Sequence, residues 1–112
     1  MSVVNGSAQV ALKWSYTLPA GTVPRTTRFR IIKGASAVLG SIFHDSSGDT
    51  YQLLDARFNI SRGEQATFII NKVTEREEAV YECELETRAA DIWSYNIRLI
   101  VTGENCYLIY RL

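Results

Sequence analysis

The chain has 112 residues. Twelve Lys and Arg balance twelve Asp and Glu, 46% of residues are hydrophobic and 21% are charged. That is one globular domain, which hides roughly two-thirds of its surface on folding and leaves no room for a second. Neutrality argues against a general nucleic-acid binder, which needs a basic excess, and the apolar content argues against disorder. No run approaches the roughly 18 apolar residues of a membrane span, and no leader-like segment opens the chain. Membrane contact is therefore expected only through an anchor outside these residues.

Along the chain the apolar residues recur with period two, the mark of strands with one face on a core. Val10, Leu12 and Trp14 alternate with Ala11, Lys13 and Ser15. Phe29 and Ile31 alternate with Arg28 and Arg30, although Ile32 breaks the polar side. Short strands are expected around Ile42–His44 and Thr50–Leu53, separated by the turn Asp45-Ser46-Ser47-Gly48-Asp49. Phe58 and Ile60, then Phe68 and Ile70, continue the pattern across the turn Ser61-Arg62-Gly63-Glu64. Val73 to Val80 is long enough for one helical turn. Tyr81, Cys83 and Leu85 oppose Glu82, Glu84 and Glu86, and Tyr95, Ile97, Leu99 and Val101 share one side of the last strand. Many short strands in about a hundred residues predict an all-β sandwich or barrel.

The segment Glu77-Glu78-Ala79-Val80-Tyr81-Glu82-Cys83 resembles the immunoglobulin signature Asp-x-Ala-x-Tyr-x-Cys at strand F. Arg57-Phe58-Asn59-Ile60-Ser61 resembles V-set strand D, and Phe68-x-Ile70-x-x-Val73 the strand E pattern. The resemblance implies an immunoglobulin V-set β-sandwich of two antiparallel sheets with Greek-key connections, over residues 1–103. It also implies a tyrosine corner at Tyr81 and an ion pair between Arg57 and Glu77. Two hallmark positions depart from the family. Trp14 stands where strand B carries the first disulfide Cys, and Phe29 where strand C carries the buried Trp. The expectation is a volume-compensated core, with a sulfur–aromatic contact from Cys83 to Trp14, offsetting a disulfide worth roughly 4 kcal/mol. Residues 104–112 would be a tail: an extra strand, a linker or an added segment. Cys106 within it could form an intermolecular disulfide.

The inventory does not suggest an enzyme. The single His44, two distant cysteines and the absence of a phosphate loop give no catalytic, metal or cofactor site, so no cofactor is expected. Asn5-Gly6-Ser7 and Asn59-Ile60-Ser61 are glycosylation sequons that agree with an extracellular setting.

Protein binding is what the resemblance implies, through one of two surfaces. The end loops would be 17–27, 45–49 and 87–93, offering Pro24, Asp45, Asp49, Arg88, Asp91 and Trp93. The other surface is the outer side of the sheet of strands C, C′, F and G. There Arg28, Arg30 and Ile32 would lie beside Glu82, Glu84 and Glu86, flanked by Arg98 and Phe43. The acidic and basic stripes would either pair within one molecule or meet the opposite stripes of a second copy in a two-fold homodimer. The resemblance extends to V domains of antigen-receptor-like proteins and of junctional adhesion receptors. Trp93-Ser94-Tyr95-Asn96 lacks the Phe-Gly-x-Gly bulge of rearranged receptor chains, which suits a non-rearranging V domain of an early chordate. The implied role is an extracellular recognition module of an immune receptor or adhesion protein, self-associating through that sheet. Ligand capture by the end loops is the alternative, and a structural intracellular module is a third reading.

Overall fold

A computed structural model describes residues 1–103. Glu104 to Leu112 lie outside the described residues, and with them the readings placed on the tail and on Cys106. The strands are β1 (Ser2–Val4), β2 (Ala8–Lys13), β3 (Pro24–Lys33), β4 (Ala35–Phe43), β5 (Thr50–Leu53), β6 (Phe58–Ile60), β7 (Thr67–Lys72), β8 (Ala79–Thr87) and β9 (Ile92–Thr102). They form a six-stranded sheet in the order β1-β9-β8-β3-β4-β5 and a three-stranded sheet in the order β2-β7-β6. The pairings are antiparallel except β1 with β9, which run parallel with Ser2 opposite Ile100. In V-set lettering the sheets are A′-G-F-C-C′-C″ and B-E-D. The all-β sandwich expected from the alternation is the observed fold.

The core is built by the inward half of each alternation. Leu12, Phe29, Phe58, Phe68, Ile70, Tyr81, Cys83, Leu85 and Leu99 are buried between the sheets. Fully burying a side chain of this size contributes about 1.5–3 kcal/mol. Trp14 follows the end of β2 and is also buried. Its ring lies 5.8 Å from that of Phe29, which in turn stacks on Phe68 at 5.0 Å. Phe68 stacks on Phe58 at 5.2 Å, and Phe58 meets Tyr81 edge-on. Phe29 stands directly opposite Cys83 in the β3–β8 ladder. A continuous aromatic column thus fills the place of a disulfide and its covering Trp. The Trp14 Nε1–H also donates to the Tyr95 carbonyl at 3.0 Å, so β2 and β9, in different sheets, are tied without a covalent bond.

The lower end is closed by the turn between β7 and β8. Glu75–Glu77 form one 3-10 turn, capped by Thr74, whose hydroxyl accepts from the Arg76 N–H while its own N–H donates to Glu77. The Tyr81 hydroxyl donates to the Glu77 carbonyl at 2.6 Å, forming the tyrosine corner. Arg57 pairs with Glu77 at 3.3 Å and, through two of its nitrogens, with Asp55.

Three expected boundaries move. β4 is not a short strand at 42–44 but runs from Ala35, because Gly34 at φ +78° turns the chain straight back from β3. The first end loop is 14–23 rather than 17–27: Pro24 opens β3 opposite Thr87, and Thr26 and Thr27 are buried within that strand. Trp93 is not in the last loop but in β9, opposite Leu85, which leaves 88–91 as the loop.

Candidate recognition surfaces

Strand alternation carries every predicted outer-face residue to the same side of the six-stranded sheet. Arg28 faces Glu84, and Arg30 faces Glu82, across β3 and β8. Arg28 lies 3.2 Å from Glu84 and 3.9 Å from Glu86; Arg30 lies 3.8 Å from Glu82 and 3.6 Å from Glu84. The stripes therefore pair within one molecule, the first of the two arrangements open from sequence. A stripe-for-stripe exchange between copies would have to break these pairs. The network is closed around Glu84 and looser at Arg30, whose buried Nε has no hydrogen-bond partner.

Around this network stand apolar side chains. Ile32 faces Val80, Val38 faces Arg30, and Ile92 faces Glu86. Phe43 and Glu86 flank Thr26, which is buried between their strands. Phe43 and Ile92 remain 41% and 55% exposed. Arg98, opposite Val80, completes three Arg against three Glu, so the face as a whole is neutral. Val38, Val80 and Ile92 were missed in the sequence. Val80 and Ile92 sit on the polar side of otherwise regular alternations. Val38 was hidden by a bulge: Phe29 pairs with Gly40 and Arg30 with Val38, so Leu39 is an extra residue that flips the phase of the strand.

The first and last end loops meet where the Arg88 N–H donates to the Val23 carbonyl, and the carboxylates of the 45–49 loop are spent within it. The Asp45 carboxyl accepts from the Ser47 N–H and the Ser46 hydroxyl, and those bonds hold it below its ordinary value. Asp49 bonds His44 Nδ1, and the other ring nitrogen bonds the Thr27 hydroxyl at 2.8 Å. His44 is thus a brace between β4, β3 and the 44–49 loop. In the last loop the Thr87 N–H donates to the Asp91 carbonyl, the Asp91 N–H to the Thr87 hydroxyl, and the Arg88 N–H to the Val23 carbonyl. The side chain of Arg88 projects from a tight turn with Ala90 at φ +66°.

Beside the loops, a cavity of about 410 Å³ opens between the sheets, lined chiefly by Trp14, Tyr16, Leu18, Cys83, Trp93 and Tyr95. Cys83 and Trp14 share this wall. Burial, with a smaller part from Glu82 and Glu84, raises the Cys83 thiol to about 12, so it is protonated and unreactive at neutral pH. Among the described residues no group of His, Cys, Asp and Glu is placed to hold a metal ion. Asn59 is exposed on β6, with its side-chain oxygen accepting from the Ile60 N–H, and Asn5 is half-buried in the turn after β1.

This strand order and corner geometry are those of the immunoglobulin V-set fold, and solved structures with 13–20% identity share that fold. Murine CRIg superposes with a TM-score of 0.69 at 20% identity, over 90% of this chain and 92% of that one. The extracellular domain of the voltage-gated sodium channel beta4 subunit, described as a parallel homodimer with a role in cell-cell adhesion, superposes at 0.75 and 14% identity, over 93% and 90%. The first Ig-like domain of human CD48 antigen superposes at 0.66 and 19% identity, over 93% and 81%. At the level of sequence, no protein-family model and no curated protein matches the chain.

Proposed function

We propose that the chain is an extracellular recognition module of an adhesion or immune-receptor protein, which binds protein partners through the outer face of β9, β8, β3 and β4, a second copy first among them. The carrying observation is the chemistry of that face. Its charges sum to zero, with Arg28 and Arg30 paired in place against Glu82, Glu84 and Glu86, so it does not repel its own copy, and exposed Phe43 and Ile92 with Ile32, Val38 and Val80 supply an apolar contact area around them. The fold likeness to adhesion and receptor domains supports the class. The end loops support ligand capture less well, because the Asp45 and Asp49 carboxylates and the turn amides of 87–91 are already bonded internally. Asn59, and Asn5 at the far end, are the positions where a glycan would sit without covering this face.

Phe43→Asp tests the reading without touching the ion pairs. Sedimentation equilibrium of the purified chain is expected to show self-association weakened at least about tenfold in the variant. Association that is unchanged by both Phe43→Asp and Val38→Glu overturns self-association through this face.

A further inference from the structure

The ladder register arranges the outer face of β9, β8, β3 and β4 in rows that run across the strands. Two middle rows carry the ion pairs: Arg28 faces Glu84 in one and Arg30 faces Glu82 in the next, with the Arg on β3 and the Glu on β8. In the row above them, Phe43 on β4 and Ile92 on β9 stand at the two sides of Thr26 and Glu86. In the row below, Ile32 on β3 faces Val80 on β8. The four paired side chains keep 17–32% of their surface exposed, so their charge is still felt from outside. For two copies meeting face to face, a two-fold axis lies in the plane of contact. Two directions of that axis keep the strands of the copies aligned. An axis across the strands lays β8 on β8 and β3 on β3, so Glu meets Glu and Arg meets Arg. An axis along the strands, midway between β3 and β8, lays β8 of each copy on β3 of the other. The charges of this face are compatible with the second axis and oppose the first.

Resting on the outer-face reading above, we infer that two copies of this chain pair about a two-fold axis that runs along the strands between β3 and β8. Glu84 of each copy then lies over Arg28 of the other, and Glu82 over Arg30. No pair is exchanged: each Arg keeps its own Glu at 3.2–3.8 Å and gains a second one across the interface, so the signs alternate around a square of four charges. The same operation lays Ile92 on Phe43 and Val80 on Ile32, apolar on apolar, above and below the charges. Packed sheets cross at about 30°, which displaces the end rows most and the middle rows least. The charged rows therefore fix the alignment. The geometry has a consequence for the setting in which the copies meet. With the axis along the strands, both copies run down β9 in the same direction, so the two Thr102 residues lie at one end of the pair and the two sets of end loops at the other. That suits copies standing side by side on one surface, whereas an axis across the strands would suit copies reaching from opposite surfaces.

The test is a charge swap that preserves every pair within the molecule. One chain carries Arg28→Glu, Arg30→Glu, Glu82→Arg and Glu84→Arg, and Glu86→Gln is placed in both this chain and its reference so that Glu86 does not bias the comparison. Swapped and reference chains, one of them isotope-labelled, are mixed in equal amounts and their dimers counted by native mass spectrometry. With the axis along the strands, the swapped chain is expected to pair with itself within about threefold of the reference affinity. Mixed dimers, in which Arg would lie over Arg and Glu over Glu, are expected to fall below about a tenth of all dimers, against about half for random pairing. Mixed dimers at half or more overturn the inference, because an axis across the strands favours them, while the outer-face reading stands. A swapped chain that is folded by circular dichroism yet monomeric, beside a reference that pairs, overturns it too. If the four-site swap does not fold, Arg30→Glu with Glu82→Arg makes the same comparison on one row. A native chain that stays monomeric at millimolar concentration overturns the outer-face reading itself, and this inference with it.

Discussion

At the scale of single residues, the domain replaces a covalent staple by aromatic volume and one hydrogen bond. Trp14 brings the bulk that Cys would lack, Phe29 is smaller than the Trp it replaces, and their rings meet at 5.8 Å. Neither substitution works alone: a Trp opposite a Trp would overpack the site, and a Cys beside Phe29 would leave a void. The Trp14 Nε1–H then reaches the Tyr95 carbonyl and takes over the inter-sheet tie. Trp14→Phe keeps most of the packing and loses that bond; urea unfolding is expected to show a loss of about 1–2 kcal/mol. Trp14→Ala also leaves a cavity and is expected to cost about 3–5 kcal/mol. Equal and small losses in both variants would contradict the compensation. The swap was legible in the sequence, because Val10-x-Leu12-x-Trp14 keeps the inward phase of its strand. The bond to Tyr95 was not, since nothing local to Trp14 names a partner 81 residues away.

At the scale of elements, the most legible parts are those fixed by local pattern. The β8 alternation and the Tyr81 corner follow from side chains placed two and four residues apart, and the structure returns both. β4 was the least legible. Its first half is Ala35-Ser36-Ala37, with too little apolar contrast to show a period, and the Leu39 bulge then reverses the phase. Gly40 at that bulge is explained by the other sheet: a Cβ there would come within 2.9 Å of the Ile60 side chain. The Arg57 bridge joins the turn before β6 to the turn before β8, through Asp55 on one side and Glu77 on the other. The hydrogen bonds from Arg57 hold the Asp55 carboxyl below its ordinary 3.8. A carboxyl depressed in the folded state contributes stability above its unfolded value, and that contribution is lost as pH falls through the folded value. Urea midpoints are therefore expected to drop more steeply in the native chain than in Asp55→Asn between about pH 4 and pH 2. Parallel pH profiles would show that the bridge does not set the acid response.

At the scale of the whole molecule, the zero net charge read first from composition acquires a location. Three Arg and three Glu of the balance stand on one sheet face, and two of the Arg are closed against the Glu across β3 and β8. The sequence placed these residues on a common face but left open whether their partners lay in the same molecule, because register between residues 56 apart, as Arg28 and Glu84 are, is a tertiary fact. What neutrality leaves exposed is an apolar rim, and that rim is the basis of the recognition proposal. The most direct measurement is an amide NMR dilution series of the labelled chain. Concentration-dependent shifts are expected to cluster at Ile32, Val38, Phe43, Val80 and Ile92 on the outer face. Shifts confined to the loops 45–49 and 88–91, with the outer face unmoved, would contradict the account.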